Sequence, residues 1–216
     1  MIPLWLRLSL GIALFAILAV ADFIRRGKTA TRWREYLFLL LCVIVAMMYG
    51  ALNDQMTSRI SWEYFYYGKE LWPILGPSTP PQAGALGWQA ARIGVTATWW
   101  AGLIAGVAML IANNPRAGRP QLPYRRLVAR LPWFVLIVVA CALVFGIAGQ
   151  FFLLNSISPD FAELAGSNLW RPHHFMAVYG IHLGGYIGGG LGTIYAIVSI
   201  RRERSALGRV QQGLEA

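Results

Sequence analysis

The sequence predicts an all-α membrane protein of five transmembrane helices, N-terminus outside and C-terminus in the cytoplasm. Three observations carry that expectation. The chain of 216 residues is 57% hydrophobic and only 13% charged, with a mean hydropathy of +0.52, whereas a soluble domain carries about 25% charged residues. The apolar residues gather into five runs, each near the ~20 residues a helix needs to cross ~30 Å of hydrocarbon. The cations gather between those runs, on alternate connections. A backbone in lipid has no water to bond, so the runs must be helices. A soluble bundle would need a polar stripe on every helix, and these runs have none.

The net charge of +10 invites a nucleic-acid partner, and its layout argues against one. Fourteen of the nineteen Lys and Arg fall in the segments 25–35, 114–130 and 201–209. An even number of spans separates these segments, so all three lie on one face, as the positive-inside pattern requires. That face is the cytoplasmic one, and the lipid bilayer is the partner. The basic segments also suit anionic headgroups.

The first span is expected at 2–24. Its core, Leu8–Leu18 followed by Ala19-Val20-Ala21, mimics a signal peptide with a cleavage site. Cleavage would leave Arg25–Arg34 outside and carry the other basic segments with it, so the helix is expected to be retained. The second span is expected at 36–54. Asp22 and Glu35, flanking the basic cluster between these two spans, read as local ion-pair partners.

The outer connection, 55–90, begins with the polar and aromatic stretch NDQMTSRISWEYFYYGKE (53–70). It continues into LWPILGPSTPPQAGALG, whose prolines and glycines predict an irregular lid. Aromatic rings at this level suit the interfacial belt. The third span, 91–112, opens on Arg92, and the fourth, 131–154, is almost wholly apolar. A second outer connection is expected at 155–174. The fifth span, 174–199, follows Pro172, a residue suited to a first helical turn.

Glycine marks that last span. Gly184, Gly188 and Gly192 repeat at four-residue spacing, as do Gly185 and Gly189, and Gly102 and Gly106 in the third span. In a membrane this spacing lets two helices approach closely. The stripe therefore suits a helical partner or a homodimer. It lacks the strand, the spacing and the lysine of a phosphate-binding loop. Cys42 and Cys141 lie within spans, form no C-x-x-C pair and read as packing residues.

Ionisable groups in or beside a bilayer are functional candidates, and here they collect on the outer side. Asp54 and Gln55 end the second span, Glu63 lies in the aromatic stretch, and Arg92 opens the third span. His182 lies on the fifth helix with Tyr186 one turn further on. These six residues form the candidate polar site, in which Arg92 either pairs with Asp54 or Glu63 or reaches to headgroups. His182 reads as an interhelical hydrogen-bonding residue or as the floor of an outer cavity.

His173, His174, His182 and Glu63 supply donors for a transition metal. Their spacing matches no metal signature, however, and adjacent helical residues such as His173 and His174 point about 100° apart. No nucleophile with a nearby base is apparent.

Several short words resemble a family of small polytopic bacterial inner-membrane proteins without an assigned activity. They are Asp54-Gln55-x-Thr57, Glu63-Tyr64-Phe65, Ala97-Thr98-Trp99-Trp100-Ala101-Gly102-Leu103, and Trp170 ahead of His182 and Gly184-Gly185-Tyr186. The resemblance implies a multi-pass protein of the bacterial inner membrane and brings no chemistry with it. Three functions fit the residues. One is an outer-face polar site for a metal or for a lipid-like or quinone-like ligand. The second is a non-catalytic accessory or assembly subunit docked through its glycine-rich helix. The third is a small dimeric transporter.

Overall fold

A computed structural model describes residues 3–115, 119–152 and 169–214. Its long elements are α1 (Leu4–Arg26), α2 (Trp33–Ile60), α4 (Ala83–Ala112), α6 (Leu131–Phe151) and α7 (Pro172–Leu214). Short helices α3 (Trp72–Leu75) and α5 (Tyr124–Val128) sit in the connections. Among the described residues five helices are long and apolar enough to cross a membrane, and each overlaps one of the expected apolar runs; the end of the run expected at 131–154 lies outside the described residues. Most of the connection expected at 155–174 lies outside the described residues.

The boundaries depart from expectation where polar residues lie on a helix. α2 does not stop near Asp54 but continues to Ile60. Its last turns stay helical, with the hydroxyls of Thr57 and Ser58 turned back onto helix carbonyls at Asn53 and Gln55. The expected lid is only partly irregular. Tyr64–Gly68 forms one turn of π-helix, Trp72–Leu75 one turn of α-helix, and α4 begins at Ala83. Arg92 therefore lies inside α4 rather than at its start.

Two helix pairs form the body. α2 packs along α4, and α6 along α7. Glycine makes both contacts close. A Cβ on Gly50 or Gly94 would fall on the carbonyl oxygen of the other, and one on Gly102 would fall on Cys42 O. Thr98 Oγ1 lies 2.8 Å from Ala46 O across the same seam. In the second pair, Gly180 abuts Phe145 O, Gly184 abuts Cys141 O, and Gly188 lies 2.7 Å from Val138 Cα through its absent Cβ. At Gly184, Gly188 and, against Phe134, Gly192, the face of α7 lies against α6 of the same chain.

Glycine is not uniform along α7. A Cβ on Gly189 or Gly190 would meet nothing within 4 Å, and one on Gly185 would meet only Tyr49 Oη. These positions leave room instead of closing it.

The pairs join at their ends. At one end Tyr64, Phe65 and Leu71 cover Leu86, Ala90, Phe175 and Met176. At the other, Phe38, Met109, Leu122, Leu127, Ala196 and Ile200 form a second core. Polar staples reinforce that second end. Asn113 exchanges two hydrogen bonds of 2.9 Å with the backbone of Leu122. The buried Arg204 donates to the carbonyls of Ala112, Arg119 and Pro120. Arg130 donates to Glu203 and to Ser199 Oγ. Two cations of the basic segments are therefore internal ties. α1 stands apart: Asp22 is its only buried residue, tied to Arg26 at 3.2 Å, and Phe15 stacks on Tyr36 of α2. Glu35, expected beside that cluster, instead accepts from Tyr124 Oη at 3.5 Å.

Candidate functional site

Between the two end cores the helix pairs diverge, leaving a cavity of about 320 Å³. This is at the lower end of the range for small-molecule sites, ~300–1,000 Å³. Its walls are mostly apolar, including Ile93, Ala97, Ala101, Val135 and Val138. Its ionisable groups and Asn53 collect towards one end, where Tyr49, Asn53 and Asp54 of α2 meet His182 of α7 and Lys69 of the connection between α2 and α4. The Thr98 and Thr193 hydroxyls elsewhere on the wall bond to helix carbonyls.

The geometry at that end is built from three elements. Tyr49, Asn53 and Asp54 of α2 all line it, Tyr49 and Asn53 one turn apart on the helix and Asp54 the next residue on. The Asp54 carboxylate is almost fully buried and accepts from Asn53 Nδ2 at 3.1 Å. His182 Nε2 stands 3.7 Å from Asp54 Oδ1, too far for a hydrogen bond. Tyr64, from the π-helical turn, stacks on the His182 ring at 4.9 Å and 21°, and Phe65 meets its edge. Lys69 Nζ lies 5.4 Å from the Tyr64 ring centroid. Burial, with the Asp54 charge nearby, pushes the Tyr64 phenol above its ordinary value, so this hydroxyl remains protonated.

Two polar atoms here are left over. Tyr49 Oη and His182 Nε2 are buried and have no hydrogen-bond partner among the described residues. An orphaned buried polar group costs about 1–3 kcal/mol, and both of these residues line the same cavity.

The six expected residues divide. Asp54, His182 and Tyr186 meet at the cavity. Gln55 instead lies against Gly87, in a separate groove shared with Arg59, Trp62 and Trp88. Glu63 is buried, but its oxygens accept from the backbone N–H groups of Trp170 at 2.6 Å and Arg171 at 3.3 Å. A carboxylate there complements the positive end of α7, so Glu63 acts as a staple. Arg92 is exposed and donates to Gln89 Oε1 at 3.1 Å. It joins neither expected partner, because the early start of α4 carries it onto an outward face.

The expected metal set does not assemble either. Among the described residues no three of His, Cys, Asp and Glu come together. His173 is exposed with Nδ1 3.1 Å from Gln150 O, Glu63 is committed to α7, and His182 lies about 13 Å further along the helix. Asp54 and His182 alone are two donors, one fewer than a catalytic zinc site uses.

Sequence reasoning missed Tyr49 and Lys69. Tyr49 could have been found from its spacing to Asn53 and Asp54. Lys69 had no such signal, since its position depends on how the outer segment folds back. No family model, curated protein or solved structure matches the chain.

Proposed function

We propose that this chain is a multi-pass protein of the bacterial inner membrane that binds an amphipathic, lipid-like or quinone-like ligand between its helix pairs. The polar head sits against Tyr49, Asp54 and His182, and the apolar part lies along Ala97, Ala101, Val135 and Val138. The carrying observation is the coincidence of two unpartnered buried polar atoms with the polar end of an otherwise apolar cavity. A head that can both donate and accept suits them. It would bond Tyr49 Oη and His182 Nε2 and present a donor to Asp54.

The cation distribution supports an outward N-terminus, a cytoplasmic C-terminus and an outer position for the segment 61–81. The head site then lies towards the outer leaflet.

Native mass spectrometry of the protein released from mild detergent tests the reading. The wild type should carry an adduct of lipid mass, and the double variant Tyr49→Phe with His182→Leu should lose most of it. Glu63→Gln, which touches only the α7 staple, should keep it. Equal adduct occupancy in the wild type and the double variant, or no adduct in either, would sink the proposal.

A further inference from the structure

The reading above leaves open how a ligand reaches a cavity whose two ends are packed. Phe65, Met176 and Leu71 close one end, and Phe65 is wholly buried. Met109 and Leu131 belong to the core that closes the other. The side is different. Trp100, Ile104 and Tyr186 line the cavity and yet are 44%, 59% and 54% exposed. A residue that faces both the cavity and the outside marks an edge where the wall is missing. All three lie on helices long and apolar enough to cross a membrane, so in a bilayer the outside they face is hydrocarbon.

The backbone of α7 enlarges the same opening. Gly189 and Gly190 line the cavity, and a Cβ on either would meet open space. Glycine costs about 1 kcal/mol against alanine in a helix, and no close helix approach explains it at these two positions. From His182 to Thr193, the last residue of α7 at the cavity, the helix rises about 16 Å, roughly half the ~30 Å hydrocarbon layer. A slot of this length suits a chain lying along the bilayer normal within one leaflet.

We infer that the ligand is a long-chain lipid that enters sideways from the bilayer. It passes the edge formed by Trp100 and Ile104 on α4 and Tyr186 and Gly190 on α7, and its tail rests over Gly189 and Gly190. This rests on the proposed ligand site and adds to it the tail class and the route. A short, water-soluble amphiphile arriving past Lys69 is the competing case.

Two photoreactive probes separate the cases in proteoliposomes: a long-chain monoacylglycerol with a diazirine in its tail, and its short-chain, water-soluble counterpart. Labelled residues are mapped by mass spectrometry. The long-chain probe should label Ala97, Ala101, Val135 and Val138 in the wild type. Gly189→Leu and Gly190→Leu should reduce that labelling at least tenfold while leaving helicity and elution volume unchanged, since neither new side chain meets packed atoms at its Cβ. Arg92→Ala, exposed and away from the cavity, should leave it intact. Labelling of these walls by the short probe alone, or long-chain labelling indifferent to both leucines, overturns the lateral route and leaves the ligand site standing. Walls labelled by neither probe overturn both.

Discussion

At the scale of single residues, the same chemical type serves opposite ends depending on what surrounds it. Glu63 and Asp54 are both buried carboxylates. Glu63 has two backbone donors at the start of α7, whereas Asp54 has one amide donor and a histidine just beyond bonding range. Hydrogen bonds to a charged group are worth about 1.5–3 kcal/mol. Glu63→Gln keeps the shape and removes the charge, so a loss of about 1–2 kcal/mol is expected from the weakened bonds. A thermal scan in detergent should show a lower Tm with the ligand adduct retained. The imidazoles divide likewise: His182 is held by the Tyr64 and Phe65 rings at the cavity, and His173 faces outward. Their residue types marked all of these as candidates, and only the neighbours told a cavity-lining group from a staple.

At the scale of elements, glycine spacing alone does not say whether a helix packs or opens. Along α7 the positions 180, 184 and 188 are pressed onto α6, and 189 and 190 face empty space one residue on. A paired test follows. Gly180→Ala puts a methyl onto Phe145 O and should destabilise by about 1–3 kcal/mol, as overpacking does. Gly190→Ala adds a methyl to open space and should stabilise by up to ~1 kcal/mol through helix propensity. Unfolding followed by circular dichroism compares them directly, and equal effects would contradict the two roles. The four-residue repeat names no partner, because spacing within one helix carries no information about the helix it meets. Helix ends were misjudged for a related reason. Hydropathy falls at Asp54 and at Arg92, while backbone bonding continues through both, since a helix with inward polar groups needs no cap where its polarity changes.

At the scale of the whole molecule, two tightly seamed helix pairs meet through cores at both ends and separate between them. The proposed orientation in the bilayer rests on the distribution of charge. An alkaline phosphatase fusion at Lys69 is expected to be active, and one after Leu214 inactive. Cytoplasmic location of position 69 would reverse the leaflet of the head site without altering its chemistry. α1, with little of its surface buried, adds a span and contributes nothing to the cavity.

The number and approximate placement of the apolar helices were legible in the sequence alone, because a backbone in hydrocarbon has one way to satisfy its hydrogen bonds and composition shows where hydrocarbon is required. Which polar residues meet was decided by the tertiary structure. Asp54 and His182 lie far apart in the chain and on different helices, and their approach depends on how two glycine seams set the pairs. The withdrawal of Glu63 and Arg92 from that meeting depends on a helix start and a folded-back connector. Those are long-range packing outcomes, and no local pattern of residues encodes them.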